Sequence, residues 1–369
     1  MKVLMLSTDG NLLKEGSAVR ARMISYGTIC GELNILVASL GGEKNRINIA
    51  PNVFVYPTAS KDRISSRLSF LGIGKKIKAD MVTSQDPFET GLFAWLISKK
   101  IGAKLELQIH TDFLSPYFAD ESFLNKIRVF LSRFLLPKAD SIRVVSKRIS
   151  DSLKAKSYKL KAIPVVLPVF VDIEKIRKAE PKIDLRKKYP QFDFIILMVS
   201  RLTREKNIGL GIEALAEVIK NHPKAGLIIV GSGPEESKLK SQVTDYKLQD
   251  KVIFVGWVED VVSYFKTADA FLNTSKYEGF GMALIEAAAS DCPIISTDTG
   301  IAGSVLRNGE EAFICPIGDA TCFCRGLERL IAYPALCKEI ALRAETAIEP
   351  LAISKEEYLK RMKEIWDEC

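Results

Sequence analysis

The sequence predicts an α/β fold built from two successive, doubly wound parallel sheets. Short aliphatic and β-branched segments alternate with segments whose apolar residues recur at helical spacing, an order typical of parallel sheets covered by helices. The alternation runs through residues 1–167, stops, and starts again at residue 194. A length of 369 residues also favours two domains, at about 150 residues each.

The first series predicts seven strands, separated by helical segments of which 88–100 and 123–136 are the clearest. The predicted strands are residues 2–7, 33–38, 53–56, 80–84, 104–110, 141–145 and 162–167.

The second series predicts six strands and four helices. The predicted strands are residues 194–199, 226–230, 251–255, 270–273, 293–296 and 312–315, and the predicted helices are residues 208–221, 233–248, 281–290 and 319–332.

These patterns predict a first domain over residues 1–170, a linker over 171–190, a second domain over 191–350 and a C-terminal segment over 351–369. The linker is predicted because residues 168–190 are rich in Lys and Pro and show no sustained apolar period. Ser354 is expected to cap a final helix. Two such domains would leave a cleft at the carboxyl ends of both sheets, where open α/β sheets bind their ligands.

The composition excludes several classes of protein. Hydrophobic residues make up 47% and charged residues 27%, as in a soluble globular chain. No apolar stretch approaches the roughly 18–20 residues that span a bilayer. The N-terminal segment turns polar after residue 6, which is typical of a first strand rather than a signal peptide. We therefore expect a cytoplasmic protein, at most peripheral on the cytoplasmic face of the membrane.

The seven cysteines are odd in number and scattered, without a Cys-x-x-Cys pair. Cys315, Cys322, Cys324 and Cys337 could be interpreted as a metal site, but their spacing is not that of metal ligands. Reduced thiols that pack in the interior are the preferred interpretation.

Positive charge is concentrated in the first half of the chain. Residues 1–170 hold 26 Lys and Arg against 14 Asp and Glu, whereas residues 171–369 hold 27 against 31. This asymmetry indicates an anionic partner: phospholipid, nucleic acid or a phosphorylated acceptor. Residues 123–138 and 143–161 combine cations with Phe, Leu and Ile, which fits a helix on anionic lipid or a solvated basic face over an ordinary core.

Three loops of the second half have the chemistry of a nucleotide-diphosphate site. Arg201 and Lys206 follow a strand and precede a helix, where cations and backbone N–H groups can hold an anion. Gly231 opens a Gly-x-Gly turn between a strand and a helix, although a tight structural turn is an equal interpretation. Glu278 and Glu286 flank a glycine-bounded helix start, and their carboxylates can accept hydrogen bonds from sugar hydroxyls.

Together these motifs resemble the retaining GT-B glycosyltransferases of family 4, the glycosyl transferases group 1, and the resemblance covers essentially the whole chain. It implies two Rossmann-like domains, an acceptor-side domain first and a donor domain second, with the C-terminal helix packing on the first. It also implies that Arg201 and Lys206 hold the donor diphosphate, Glu278 contacts the transferred sugar, and Glu286 accepts from the ribose. The implied donor-binding residues are Gly16, Gly231, Val258, Gly279, Phe280, Gly281, Met282, Leu284 and Glu286.

In the first half, the resemblance implies that His110, at the end of a predicted strand, is an active-site histidine that positions the sugar. His222 is expected to be structural. The family's Pro-Asn-Gly-Val-Asp segment stands here as residues 168–172 without Asn-Gly. No Asp-x-Asp motif occurs, so neither a metal nor a cofactor is expected, and cations would stabilise the diphosphate.

The resemblance implies transfer of a hexose-type sugar from a UDP- or GDP-sugar to an unidentified acceptor, such as a lipid or polysaccharide precursor, with retention of anomeric configuration. A nucleotide-sugar epimerase of the same architecture is the nearest alternative. A protein that binds nucleic acid or membrane through its basic half is a second alternative, but no nucleic-acid-binding motif is present, so no nucleic-acid partner is expected.

Overall fold

The computed structural model describes residues 1–156 and 158–369 and divides the chain into two compact units. The first unit comprises Met1–Pro168 together with Ser354–Cys369, and the second comprises Val169–Ile353. Each unit is built around its own sheet, as the sequence predicted. In the described part of the chain, no helix is long and apolar enough to cross a membrane.

The sheet of the first unit has eight strands among the described residues, in the order β3-β4-β2-β1-β5-β6-β7-β8. All neighbours are parallel except β3 and β4. The order reverses between β1 and β5, which makes this pair a topological switch point. The strands are β1 Lys2–Ser7, β2 Glu32–Val37, β3 Ile47–Ala50, β4 Val53–Pro57, β5 Met81–Ser84, β6 Lys104–Ile109, β7 Ser141–Val144 and β8 Val165–Val166.

The sheet of the second unit, whose residues are all described, has six parallel strands in the order β11-β10-β9-β12-β13-β14. Its switch point lies between β9 and β12. The central strands are buried aliphatic runs, as expected for a sheet covered on both faces. The strands are β9 Phe194–Val199, β10 Ala225–Val230, β11 Val252–Gly256, β12 Ala270–Asn273, β13 Ile294–Thr297 and β14 Phe313–Cys315.

Helices connect the strands, and several of them begin after a serine cap: Ser17, Ser122 and Ser354 each accept from a backbone N–H in the first turn of a helix. The helices are α1 Ala18–Gly27, α2 Arg63–Gly74, α3 Glu89–Ile101, α4 Pro116–Glu121, α5 Phe123–Leu135, α6 Lys147–Ala155, α7 Ile173–Lys178, α8 Leu185–Lys188, α9 Ile208–Asn221, α10 Glu236–Asp245, α11 Val262–Thr267, α12 Met282–Ala288, α13 Ala320–Ala332, α14 Pro334–Ala347 and α15 Lys355–Asp367.

The segment predicted as a linker, residues 171–190, includes two short helices and falls within the second unit. It contains α7 and α8, which Asp172 and Asp184 cap. Arg177 of α7 binds Glu345 and Glu349 near the end of the unit, at 2.7 and 2.6 Å. Helices of six and four residues are too short to show an apolar period, which is why the pattern indicated a linker.

The prediction of reduced thiols is wrong for one pair of cysteines. Cys315 ends β14, Cys322 lies in the first turn of α13, and the two form a disulfide with their Cα atoms 5.7 Å apart. Asp319 caps α13 by accepting from the backbone N–H of Cys322, and the turn brings the two thiols together. A separation of seven residues does not reveal this proximity in the sequence.

The C-terminal helix α15 packs within the first unit, as the resemblance implied. Its buried residues Tyr358, Met362 and Trp366 recur every four positions and therefore lie on one face. The rings of Trp366 and of Tyr26 from α1 form a T-shaped pair, with 6.1 Å between ring centroids.

Candidate active site

The sequence-predicted residues of the second unit collect at the carboxyl edge of its sheet. The loop after β9 carries Lys206, and the loop after β12 carries Glu278. Because β9 and β12 are neighbours at the switch point, the two side chains meet, with Lys206 Nζ 2.5 Å from Glu278 Oε1. Each side chain is only 15% exposed, so the pair is well shielded from water.

Residues that the sequence analysis did not single out hold this pair in place. Ser275 Oγ donates to Glu278 Oε1 at 2.8 Å, and Thr297 fixes the Ser275 backbone by donating to its carbonyl at 2.6 Å. Thr274 Oγ1 donates to the Lys206 carbonyl at 2.8 Å and joins the two loops. The signal in the sequence was a pair of hydroxyl residues directly after a buried strand.

Arg201 is brought to the same edge but stays open to solvent. Its side chain is 76% exposed, and its guanidinium lies 3.2 Å from Glu205 four residues on. An exposed ion pair of this kind is weak, so the guanidinium is available to an anionic ligand.

Gly231 permits a close approach between two loops. Its φ is +131°, and a Cβ there would lie 1.9 Å from the Ser200 carbonyl oxygen. The glycine is therefore required for packing of the β10 loop on the β9 loop, and its place in the nucleotide pocket stays a prediction. Val258 follows β11 next to the exposed Trp257.

The glycine-bounded helix start is present as predicted. Gly281, with φ +87°, precedes α12. The residues expected to bind donor differ in access: Met282 is exposed, whereas Phe280 and Leu284 are buried, so their side chains pack in the interior. Gly279 is also buried.

Glu286 lies one turn further along α12 and is half-buried. Burial raises the pKa of its carboxyl, and no neighbouring charge or hydrogen bond in the described part of the chain offsets this. A carboxylate held in this way can accept hydrogen bonds from a ligand, because its lone pairs are not used by the protein.

In the first unit, Gly16 and His110 lie at the carboxyl edge of the sheet. Gly16 follows β1 with φ +72° and open space around its Cα, so it is needed for the turn rather than for packing. His110 follows β6 and is half-buried, with Nε2 3.2 Å from Arg143 Nη2 and from Gln108 Oε1. Burial, with Arg143 and Arg22, lowers the pKa of His110 to about 3, so its imidazole is neutral.

The helix predicted over 123–136 exposes five of its apolar residues and buries two polar ones beside Leu135 and Leu136. Asn125 and Ser132 of α5 are buried, whereas Phe123 and Phe130 are 79% and 74% exposed. Glu89 binds both Arg67 of α2 and Arg128 of α5, so α2 is close by. We call the outward apolar residues of these two helices the α2/α5 surface: Ile64, Leu68, Phe123, Leu124, Ile127, Phe130 and Phe134.

No group of three or more His, Cys, Asp or Glu side chains among residues 1–156 and 158–369 is arranged to hold a metal ion. The other basic segment named from the sequence, 143–161, includes Ser157, which lies outside the described residues.

Comparison with known proteins agrees with this architecture. The solved structure of the Anabaena HepE protein in complex with UDP-glucose has a TM-score of 0.78 at 19% identity, with both chains covered completely. The chain therefore has the GT-B glycosyltransferase fold.

A family model matches most of the second unit. Residues 181–346 match the family described as glycosyl transferases group 1, in agreement with the resemblance found in the motifs.

Two curated relatives extend over much of the chain. The alpha-monoglucosyldiacylglycerol synthase of Streptococcus pneumoniae is 30% identical over 252 residues, 64% of this chain and 57% of the relative. The chain thus spans less than two thirds of that relative's length. The Escherichia coli UDP-Gal:alpha-D-GlcNAc-diphosphoundecaprenol alpha-1,3-galactosyltransferase is 25% identical over 316 residues, 81% of this chain and 80% of the relative.

Proposed function

We propose that the protein is a retaining glycosyltransferase that moves a hexose-type sugar from a UDP- or GDP-sugar to a lipid acceptor, without a metal ion. The observation that carries the proposal is the pairing of Lys206 with Glu278 at the switch point of the second sheet, together with the unpaired carboxylate of Glu286 on the adjoining helix. A cation and two acceptors are the groups that a diphosphate and a polyol require.

In the proposed reaction, the bond between the sugar and the diphosphate loosens to an oxocarbenium-like state. Arg201 and Lys206 stabilise the negative charge that develops on the leaving phosphate. Glu278 accepts from hydroxyls of the transferred sugar, and Glu286 accepts from the ribose. The leaving phosphate helps to take the proton of the acceptor hydroxyl, which attacks from the same face, so the configuration is retained.

Donor binding is tested by calorimetry with UDP, GDP and ADP in the presence of excess chelator. Binding of one nucleoside diphosphate that chelator does not alter is expected, since protein cations replace the metal. Loss of binding in chelator would contradict metal independence. A thermal-shift series would rank the donors, because a ligand at 100 times its Kd adds about 2.7 kcal/mol of stability.

Proton NMR of the reaction tests both retention and the reaction class. Incubation of the nucleotide-sugar with enzyme and acceptor should yield a product with the anomeric configuration of the donor. A new nucleotide-sugar formed without any acceptor would indicate an epimerase instead.

The acceptor side of the proposal is supported by the α2/α5 surface. Exposed Phe, Leu and Ile side chains on α5 alternate with Lys126 and Arg133, which suits the interface of an anionic bilayer. The names of the two curated relatives refer to diacylglycerol and to diphosphoundecaprenol, both lipids. We therefore propose that the acceptor is a membrane lipid and that this surface brings the enzyme to it.

Vesicle sedimentation at low salt tests this surface. The chain should bind vesicles that contain anionic lipid and release them as salt rises. At 0.1–0.15 M salt, exposed charges interact only over about 8–10 Å, so the attraction to the anionic surface weakens. The double variant Phe123→Ser/Phe130→Ser should bind at least tenfold more weakly, since each buried Phe contributes about 1.5–3 kcal/mol. Leu342→Ser, which changes an exposed apolar residue of the second unit, is the matched control. Equal binding of all three proteins would contradict the role of the surface.

A further inference from the structure

A buried polar cluster runs along β6 and β7 of the first unit to His110. Successive residues of a strand point to opposite faces, so Glu106, Gln108 and His110 share one face of the sheet region around β6. Arg143 of β7 is the register partner of Gln108. Glu106, Gln108 and Arg143 are 0–2% exposed, although two of them are charged residues.

The C-terminal helix α15 covers this cluster and supplies hydrogen-bond partners. Tyr358 Oη accepts from Arg143 Nη1 at 3.2 Å, and Met362 Sδ lies 3.5 Å from the same nitrogen. Trp366 Nε1 donates to Glu106 Oε2 at 3.2 Å. Helix α15 therefore holds the guanidinium of Arg143 through Nη1, whereas Nη2 faces His110.

The direction of each hydrogen bond near His110 follows from its neighbours. Gln108 Nε2 donates to Thr83 Oγ1 and to Glu106 Oε2, at 3.0 and 3.1 Å, so Gln108 Oε1 faces Arg143 and His110. Arg143 Nη2 donates to Gln108 Oε1 at 2.9 Å and lies 3.2 Å from His110 Nε2. A guanidinium has donors and no acceptor, so towards Arg143 the Nε2 atom of His110 can only accept. Gln108 Oε1, which is also 3.2 Å from Nε2, already accepts from Arg143.

We propose that Arg143 is a positioning residue that fixes His110 in the tautomer with its proton on Nδ1, and that Tyr358 of α15 holds Arg143 in place for this purpose. His110 then presents an N–H donor at Nδ1, on the side of the ring away from the cluster. The part of the inference that concerns turnover rests on the proposed function, whereas the tautomer does not.

The charges around the ring favour a neutral imidazole. The charged groups that act on His110 are Arg143 from β7 and Arg22 from α1, and both disfavour the imidazolium, as burial does. A neutral His110 has one donor and one acceptor, so the tautomer decides which nitrogen can donate to a substrate oxygen.

The tautomer is measured directly by nitrogen-15 NMR of the full chain labelled at histidine. The chain has two histidines, so the His222→Gln background leaves His110 as the only labelled imidazole ring, whose two nitrogen resonances report the tautomer. We expect a neutral ring protonated on Nδ1 throughout pH 5–8. A ring protonated on Nε2 would overturn the proposal.

Two variants in this background test the cause. In Arg143→Met, Gln108 Oε1 remains 3.2 Å from Nε2 and becomes its partner, so the proton should move to Nε2 and the pKa of His110 should rise. An unchanged tautomer would overturn the role of Arg143. Should that variant fail to fold, Tyr358→Phe removes one hydroxyl and should give a measurable share of the Nε2–H form. A population identical to the wild type would overturn the role of Tyr358.

Turnover provides the second readout. Arg143→Met should lower kcat about tenfold, the effect of one misoriented hydrogen bond, and leave the affinity for UDP or GDP unchanged because that ligand binds the second unit. A tautomer switch without any change of kcat would overturn the link to the reaction. If the wild type binds no nucleoside diphosphate, the proposed function is wrong. The NMR experiment still tests the tautomer of His110, because it does not depend on that ligand.

Discussion

Replacement of Glu278 by Gln tests two roles of one carboxylate: its ion pair with Lys206 and its proposed contact with the transferred sugar. Glu278 Oε1 accepts from Lys206 Nζ at 2.5 Å and from Ser275 Oγ at 2.8 Å, and the side chain is 15% exposed. The amide keeps the shape and an acceptor oxygen but removes the charge. Lys206 then loses a charge-assisted hydrogen bond, whose contribution is typically about 1.5–3 kcal/mol.

The two consequences have opposite signs. Because Lys206 is no longer neutralised by Glu278, its ammonium is freer to meet a diphosphate, and the affinity for UDP or GDP should stay the same or increase by up to about tenfold. The transferred sugar, however, loses an anionic acceptor as its charge and shape change, so kcat should fall on the order of 100-fold. Effects confined to the transition state appear in kcat, and uniform binding appears in KM.

Calorimetry with the nucleoside diphosphate and initial rates with the sugar donor measure the two quantities. Glu217→Gln is the matched control: Glu217 pairs with Lys220 near the end of α9, both side chains are more than half exposed, and its loss should alter neither quantity more than about twofold. Abolished diphosphate binding in Glu278→Gln, with normal binding in Glu286→Gln, would refute the assignment. Unchanged binding and turnover in both variants would reduce the motif to an acidic helix start.

Three further results are expected. Glu286→Gln should weaken UDP or GDP binding by about 1–3 kcal/mol. Because burial raises the pKa of Glu286, the folded chain binds this proton more tightly than the unfolded chain, and the stability of the wild type falls as pH rises through the raised pKa. Urea unfolding should therefore show the Gln variant to be more stable than the wild type at pH 7 but not at acid pH. Gly231→Ala should lower the free energy of unfolding by at least about 3 kcal/mol in the same assay, since its Cβ would meet the Ser200 carbonyl oxygen at 1.9 Å. Gly16→Ala should lower it by only about 1–2 kcal/mol, because the substitution is strained by the positive φ alone. Equal losses of stability in the two variants would contradict the packing argument. Arg201→Ala should leave the free energy of unfolding unchanged, because the side chain is 76% exposed. It should lower both diphosphate affinity and kcat about tenfold or more, because the exposed guanidinium is available to the ligand. Normal binding and turnover would remove Arg201 from the site.

The regular part of the fold was predictable because buried parallel strands leave continuous aliphatic runs. Strands β1, β9 and β12 were predicted to the residue, and so was helix α9. The antiparallel edge strand β3 was missed, since Ile47–Ala50 is half exposed and has no buried run. The predicted strand at 162–167 shortens to Val165–Val166, both exposed, because an edge strand has one neighbour to pair with.

The residues of the site were predictable where they belong to one local motif. Their contacts were not predictable where those contacts depend on the tertiary structure. Loop position after a strand placed Lys206 and Glu278 at the same edge, but their contact depends on β9 and β12 being neighbours, which strand order decides. The burial of Leu284 also depends on the tertiary structure. For α5, apolar periodicity predicted the helix correctly. It could not reveal that Asn125 and Ser132 face the core, because a helix has the same period whichever face is buried.

The β6 segment shows which signal in the sequence had been left unused. Glu106, Gln108 and His110 alternate with apolar residues, a period of two that places three polar side chains on one face of a central strand. Such a face is costly unless partners cover it, so the pattern requires polar groups from elsewhere in the chain. Helix α15 provides them through Tyr358 and Trp366, about 250 residues away in sequence. Tyr358 and Trp366 add hydrogen bonds to those that Gln108 and Thr83 already make with Arg143 and Glu106, and these contacts help to hold α15 in the first unit.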